Sequence, residues 1–105
     1  RGAQLKDGLD SLAQRHACVA EARSIGLMGM LDLRDGDGRL LANLQGNPTA
    51  MKYLKADLLD AGVYAFQRWS HLSAFPPLNI TADDLDYGLK GFDHALTKLD
   101  QRLGL

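Results

Sequence analysis

Four chain-directing signals fall between Gly62 and Thr81, and together they restrict what this chain can become. Gly62 follows an apolar-periodic segment and stands where a left-handed helix C-cap belongs. Val63–Gln67 and His71–Phe75 then read as two short strands. Pro76-Pro77 cannot donate to a ladder, so the second strand must stop there. Thr81-Ala82-Asp83-Asp84 resembles a capping box with Asp84 in place of the usual Glu or Gln, and two acids in a first turn suit the helix dipole. A helix must therefore end, two strands must form, and a new helix must begin.

The segments on either side carry the apolar faces that such a pair of strands needs. Leu85, Leu89, Phe92, Leu96, Leu99 and Leu103 step by 4, 3, 4, 3 and 4, which is one face of a long helix. Flanking charge pairs are not consistent over its length, so a packed core helix is favoured over a coiled coil. Asn47-Pro48 reads as an N-cap with proline at the first helical position. From there Met51, Leu54, Leu58 and Leu59 form a stripe running through Ala61, with Lys52, Lys55 and Asp57 elsewhere on the surface.

Nearer the start, Leu5, Leu9, Leu12 and His16 share a face of a helix over Ala3–His16, weakened by Gly2 and Gly8 at about 1 kcal/mol per mid-helix glycine. His16 reads as a core-edge residue rather than a ligand. Val19–Ile25 is expected to be extended. Gly26 and Gly29 bracket Leu27-Met28, and Met30–Leu33 continues as a strand with Leu31 and Leu33 on one face and Asp32 on the other.

Asp35-Gly36-Asp37-Gly38 is a turn signal. It fails as a calcium loop, because Arg39, Leu40 and Gly46 stand where oxygen ligands or the loop glycine are needed. Ala42–Gly46 reads as loop. The order helix, strand, strand, helix, strand, strand, helix predicts an α+β fold. It should hold a small, mostly antiparallel sheet of about 3–4 strands with helices packed on one face.

A length of 105 residues fits one domain, 1–105, with a modest core. With 12 basic and 13 acidic residues the net charge is −1, which excludes the basic footprint of a nucleic-acid binder. No apolar run approaches the ~20 residues that span a bilayer. The chain opens at Arg1 with neither an initiator methionine nor a charged-then-apolar leader, which leads us to expect a piece of a longer or processed polypeptide. Cys18 is the only cysteine, and its apolar neighbours make it a buried hydrophobe rather than a nucleophile. A lone cysteine cannot form an internal disulfide, which fits a reducing compartment; the expected location is cytoplasmic.

Signatures of catalysis are sparse. Phosphate loops, HExxH, paired CxxC and G-x-S-x-G are missing. Ser70 and His71 are strand neighbours and point to opposite faces. Asp83, Asp84 and Asp86 read as helix-start acids, Tyr53, Tyr64 and Tyr87 are too scattered to stack bases, and no metal site is expected. Arg68 is the exception. It sits between Phe66-Gln67 and Trp69, and its planar fork can hold a carboxylate in one orientation while stacking on an aromatic ring. The other role open to it is that of a surface arginine whose stem covers apolar strand side chains.

Three segments resemble the C-terminal small domain of class III pyridoxal-phosphate (PLP) aminotransferases. Val19-Ala20-Glu21-Ala22-Arg23-Ser24-Ile25-Gly26-Leu27-Met28-Gly29 looks like the run entering the small-domain sheet, and Asp60-Ala61-Gly62-Val63-Tyr64 looks like the later helix-to-strand step. Phe66-x-Arg68-Trp69 with Pro76-Pro77-Leu78-x-Ile80-Thr81 most resembles the taurine–2-oxoglutarate and related ω-amino-acid branch.

The resemblance implies a fold-type I C-terminal domain that closes one side of a substrate cleft, with Arg68 and Trp69 as candidates for holding a substrate carboxylate. The implied reaction moves an amino group from an ω-amino acid or related amine to a 2-oxo acid. The implied partners are a PLP-binding large domain in the same polypeptide and a second copy in a homodimer. Other branches use an arginine where this chain has Ser73 or Phe66, so those roles do not carry over. The Schiff-base lysine and the phosphate-binding groups belong to the large domain. Lys6, Lys52, Lys55, Lys90 and Lys98 match none of these, so the chain alone is expected to bind no cofactor, to have no catalytic residues and to be inactive. The alternative reading is a stand-alone α+β ligand-binding or regulatory module.

Overall fold

A computed structural model describes residues 1–38, 49–63, 65–68, 71–77 and 79–105, with the backbone alone described at Thr49, Phe66 and Arg68. The elements are α1 (Gly2–Arg15), β1 (Val19–Ile25), β2 (Met28–Leu33), α2 (Thr49–Asp60), β3 (Phe66–Arg68), β4 (His71–Ala74) and α3 (Ala82–Leu103). Their order is the predicted one. The expected loop at Ala42–Gly46, the Asn47-Pro48 start and the calcium-loop positions Arg39, Leu40 and Gly46 lie outside the described residues.

The four strands form one antiparallel sheet in the order β1-β2-β4-β3. Leu31 of β2 stands opposite Ala22 of β1 and Leu72 of β4. Leu31, Leu33 and Leu72 are fully buried, because their alternate positions turn them all to the helix-covered face. Leu5, Leu9 and Leu12 of α1 meet them there, along with Leu85, Phe92, Ala95, Leu96 and Leu99 of α3. Each buried leucine contributes about 1.5–3 kcal/mol relative to exposure, so this layer is the main source of stability. Gly8 has a packing role that its helix propensity hides: a Cβ there would collide with the Leu89 side chain of α3.

Local signals hold the ends in place. Thr81 Oγ1 accepts from the Asp84 N–H at 3.1 Å, capping α3. Gly62 has φ 82°, and Val63 N–H donates to the Leu58 carbonyl at 2.8 Å while Gly62 N–H donates to that of Leu59 at 3.0 Å. These two bonds form a Schellman motif. Val63 is thereby spent on the cap, so β3 starts at Phe66 and not at Val63. The hairpin joining β1 and β2 is tighter than expected, since β2 already begins at Met28, opposite Ile25.

Two surface expectations on α2 are corrected. Leu59 is 50% exposed: Met51, Leu54 and Leu58 complete the buried stripe, and Leu59 is turned a further ~100° from it. Asp57 is 8% exposed rather than on the open surface, because Arg102 of α3 bonds its Oδ2 and Lys98 lies 3.9 Å from its Oδ1. The Arg102 guanidinium also lies over the Tyr53 ring, 4.6 Å from its centre. Among the described residues no helix is long and apolar enough to cross a membrane.

Candidate functional site

The face of the sheet opposite the helices carries the polar chemistry. Along β2 and β4, the positions between the buried leucines are Met30, Asp32, His71 and Ser73. Register aligns Glu21, Asp32, His71 and Arg68 as a single row across all four strands. A row of this kind depends on pairing between distant segments, and no single stretch of sequence displays it.

Asp32 anchors the row. Arg34 donates through Nε to Asp32 Oδ1 at 3.3 Å and through Nη2 to Oδ2 at 3.1 Å, a two-pronged grip that neutralises a carboxylate only 8% exposed. The Asp35–Gly38 turn holds the arginine in turn, since Arg34 Nη1 donates to the Gly38 carbonyl at 3.4 Å. Asp35 Oδ1 accepts from the Asp37 N–H at 2.9 Å, and Gly38 takes a φ of 77°. The predicted turn is therefore a turn, and it also positions a charge.

His71 stands next in the row. Its Nε2 is 3.8 Å from Asp32 Oδ1, beyond hydrogen-bond range, and its side chain is 27% exposed. Arg68, the candidate read from the sequence, has its backbone in β3 directly opposite His71. Trp69 and Ser70 lie outside the described residues. Ser73, which stands where other branches carry an arginine, is 3% exposed and opposite Phe66. Sequence reading missed Asp32, Arg34 and His71 as a group, because it paired His71 with its chain neighbour and not with its cross-strand ones.

A second polar cluster is enclosed between α1 and α3. His16 is 5% exposed, with Nδ1 2.8 Å from Asp100 Oδ2 and Nε2 2.6 Å from Asp93 Oδ1. Asp100 Oδ1 accepts from the Cys18 N–H at 2.9 Å, and Arg15 pairs with Asp93 at 3.2 Å. These groups consume one another and tie the end of α1 to α3. Cys18 is fully buried, and burial followed by the Asp100 carboxylate pushes its thiol well above the ordinary range. A nucleophilic thiol needs the opposite shift. Among the described residues no group of three or more His, Cys, Asp and Glu side chains is arranged to hold a metal ion.

No family model matches the chain. Over 97 residues it is 35% identical to the L-lysine-epsilon aminotransferase of Amycolatopsis lactamdurans, covering 91% of this chain and 19% of that protein. In structure it superposes on taurine:2-oxoglutarate aminotransferase from Bifidobacterium kashiwanohense, solved with PLP and glutamate. That match has TM-score 0.84 and 33% identity over 96% of this chain and 25% of the other. The chain belongs to the PLP-dependent aminotransferases. An amine transaminase from an uncultivated Pseudomonas species, solved in its PLP-bound form, agrees: TM-score 0.81, 28% identity, 93% of this chain and 22% of that one. The α+β fold is that of the aminotransferase C-terminal domain. The chain thus spans 19% of the curated aminotransferase it matches and 22% to 25% of these solved structures.

The lysines of this aminotransferase segment do not fit the cofactor. Lys6 pairs with Asp10 at 2.7 Å, and that carboxylate raises its amine above the ordinary value. Lys90 pairs with Asp86 at 3.0 Å, Lys98 lies beside Asp57, and Lys52 and Lys55 are exposed on α2. A Schiff-base lysine is desolvated and lowered instead. No step through PLP is assigned to these residues.

Proposed function

We propose that this chain is the C-terminal small domain of a class III aminotransferase and forms one wall of its substrate cleft. The PLP-binding large domain is a separate part of the same polypeptide, and the parent works as a cytoplasmic homodimer. Its donor is an ω-amino acid or related amine and its acceptor a 2-oxo acid. PLP supplies the amino-transfer chemistry there, while the protein binds and orients the partners. The 105-residue chain by itself is inactive, because its lysines are solvated or ion-paired.

The observation that carries this reading is the 33% identity and 0.84 TM-score to taurine:2-oxoglutarate aminotransferase over 96% of the chain. The exposed apolar end of the sheet supports docking against a larger domain. Ile25 is 84%, Met28 62% and Phe75 55% exposed, and the three line one shallow depression, the grouping of apolar side chains that marks an interaction surface. Within this reading Arg68, with Trp69, orients the acidic group of the substrate.

The test is expression from the native gene, followed by intact mass and visible absorbance with PLP. We expect a polypeptide several times longer than this chain, with a bound-cofactor band. In that protein Arg68→Ala should raise KM for the oxo acid by about 10- to 100-fold, the scale of losing a charge-assisted fork, with Arg68→Lys in between. A short product without the band, or an unchanged KM, overturns the reading.

A further inference from the structure

We propose that the outer edge of β1 is a pairing seam for a second copy of this chain, joined antiparallel about Ala22 so that Glu21 of each copy meets Arg23 of the other. This goes beyond the aminotransferase reading and depends on neither the cofactor domain nor Arg68.

The first observation is the edge itself. β1 runs seven residues, Val19–Ile25, and in the sheet order β1-β2-β4-β3 it has a strand on one side only among the described residues. Hairpin geometry says which of its backbone groups face outward. The turn Gly26-Leu27 has two residues, with Gly26 at φ 56°, so Ile25 and Met28 close it as a hydrogen-bonded pair. Alternation then places Arg23–Met30 and Glu21–Asp32 in hydrogen-bonded positions, with Ser24–Gly29 and Ala22–Leu31 between them. The N–H and C=O groups of Ala22 and Ser24 therefore point away from β2, toward any strand added at the edge.

The second observation is charge. Glu21 and Arg23 are exposed, while Ala22 and Ser24 between and beside them are half-buried on the helix side. Arg23 Nη2 donates to Met30 Sδ at 3.7 Å, a weak acceptor, and a guanidinium has further donors. A pairing that uses the outward backbone groups can slide only two residues at a time. Centred on Ala22, it sets Glu21 opposite the partner's Arg23 twice, at the close positions where opposite charges attract. Slid one way it sets Arg23 against Arg23, and slid the other way Glu21 against Glu21. An edge guarded by charges of one sign repels a second copy in every register. This pattern rejects the neighbouring registers and selects one.

The selected arrangement is two-fold symmetric, so it closes at a dimer. The register shift between Val19 and Glu21 ends the ladder there, which makes the seam short and the dimer a weak one.

The experiment is sedimentation velocity and amide NMR on the 105-residue chain, with thermal unfolding to confirm that each variant is folded. We expect a monomer–dimer equilibrium at or below about 1 mM, the weak end of the affinity scale, with concentration-dependent shifts of the Ala22 and Ser24 amides. Glu21→Arg and Arg23→Glu should each weaken dimerisation about ten-fold, since each sets two like-charge pairs at the seam. Mixing the two variants in equal amounts should restore it, because each then faces the opposite charge, and so should both substitutions in one chain. A strand that was merely damaged would give no such rescue.

A chain that stays monomeric up to that concentration overturns the proposal. So does a dimer that the two reversals change less than two-fold, or that mixing fails to rescue. Dimerisation without shifts at Ala22 and Ser24 puts the contact elsewhere and overturns it as well. Protection of those two amides only in a longer polypeptide from the native gene assigns the edge to another part of that polypeptide and overturns self-pairing.

Discussion

Leu31 and Asp32 are neighbours in one strand, and they belong to two different kinds of surface. Leu31 faces the helices, is fully buried, and can be exchanged only at the expense of the core. Asp32 faces away, and its burial depends on one arginine and the turn behind it. The covered face is held by many interchangeable apolar contacts. The open face holds few groups, and the most buried charge among them, Asp32, has a specific partner in Arg34. Folding is concentrated on the first, and binding chemistry has room on the second.

The largest break in this contrast should come from Leu31→Ala. Removing a fully buried leucine under α1 should cost about 2–5 kcal/mol, read as a shift in the urea midpoint with little change in slope. A loss below 1 kcal/mol would mean that the helix layer closes over the gap and that the two faces differ less than their burial suggests.

Cys18 sharpens the covered side through pH. Its folded thiol is held protonated above the ordinary range, by burial first and by Asp100 second. The unfolded chain releases that proton once pH passes the ordinary thiol value, and the folded chain does not. The contribution is therefore complete below that value and is lost as pH rises beyond it, by at most about 1.4 kcal/mol per pH unit. Unfolding at a series of alkaline pH values should show this slope in the native chain and a flatter one in Cys18→Ala. A thiol reagent should label the folded chain only as fast as it opens.

On the open face the expected losses are smaller. Asp32→Asn keeps the shape and removes the charge that Arg34 grips, at a cost of about 1 kcal/mol for a partly exposed, two-pronged pair. A loss comparable to that of Leu31→Ala would show the row to be part of the core rather than a binding surface.

How much of this was legible in the sequence follows the same division. The buried stripes of α1 and α3, the Asp-Gly turn, the Gly62 cap and the Thr81 cap are local patterns, and each lies where its spacing predicts. Asp57 was misplaced because a stripe in one helix does not reveal which neighbour covers its margin; here Arg102, 45 residues along the chain, decides it, while Leu59 lies a further ~100° round the helix from the buried stripe. The partners of His16, Asp93 and Asp100, lie 77 and 84 residues away. The Glu21–Asp32–His71–Arg68 row appears only after three strand registers are known. Periodicity reports which face is buried. It carries no information about which polar groups meet across strands.

His71→Gln is the smallest expected effect and the most discriminating. The ring is partly exposed and makes no hydrogen bond among the described residues, and its ion-pair contact is the Asp32 carboxylate at 3.8 Å. Its replacement should change stability by less than about 0.5 kcal/mol, the range of ordinary surface substitutions. If His71 serves binding, KM for the oxo acid in the parent enzyme should rise about ten-fold in the same variant, and the two measurements should part company. A residue kept for the sheet would lose stability without a selective change in affinity. A bystander would change neither. Measuring both for the one variant therefore decides whether the open face differs from the covered face in purpose or only in polarity.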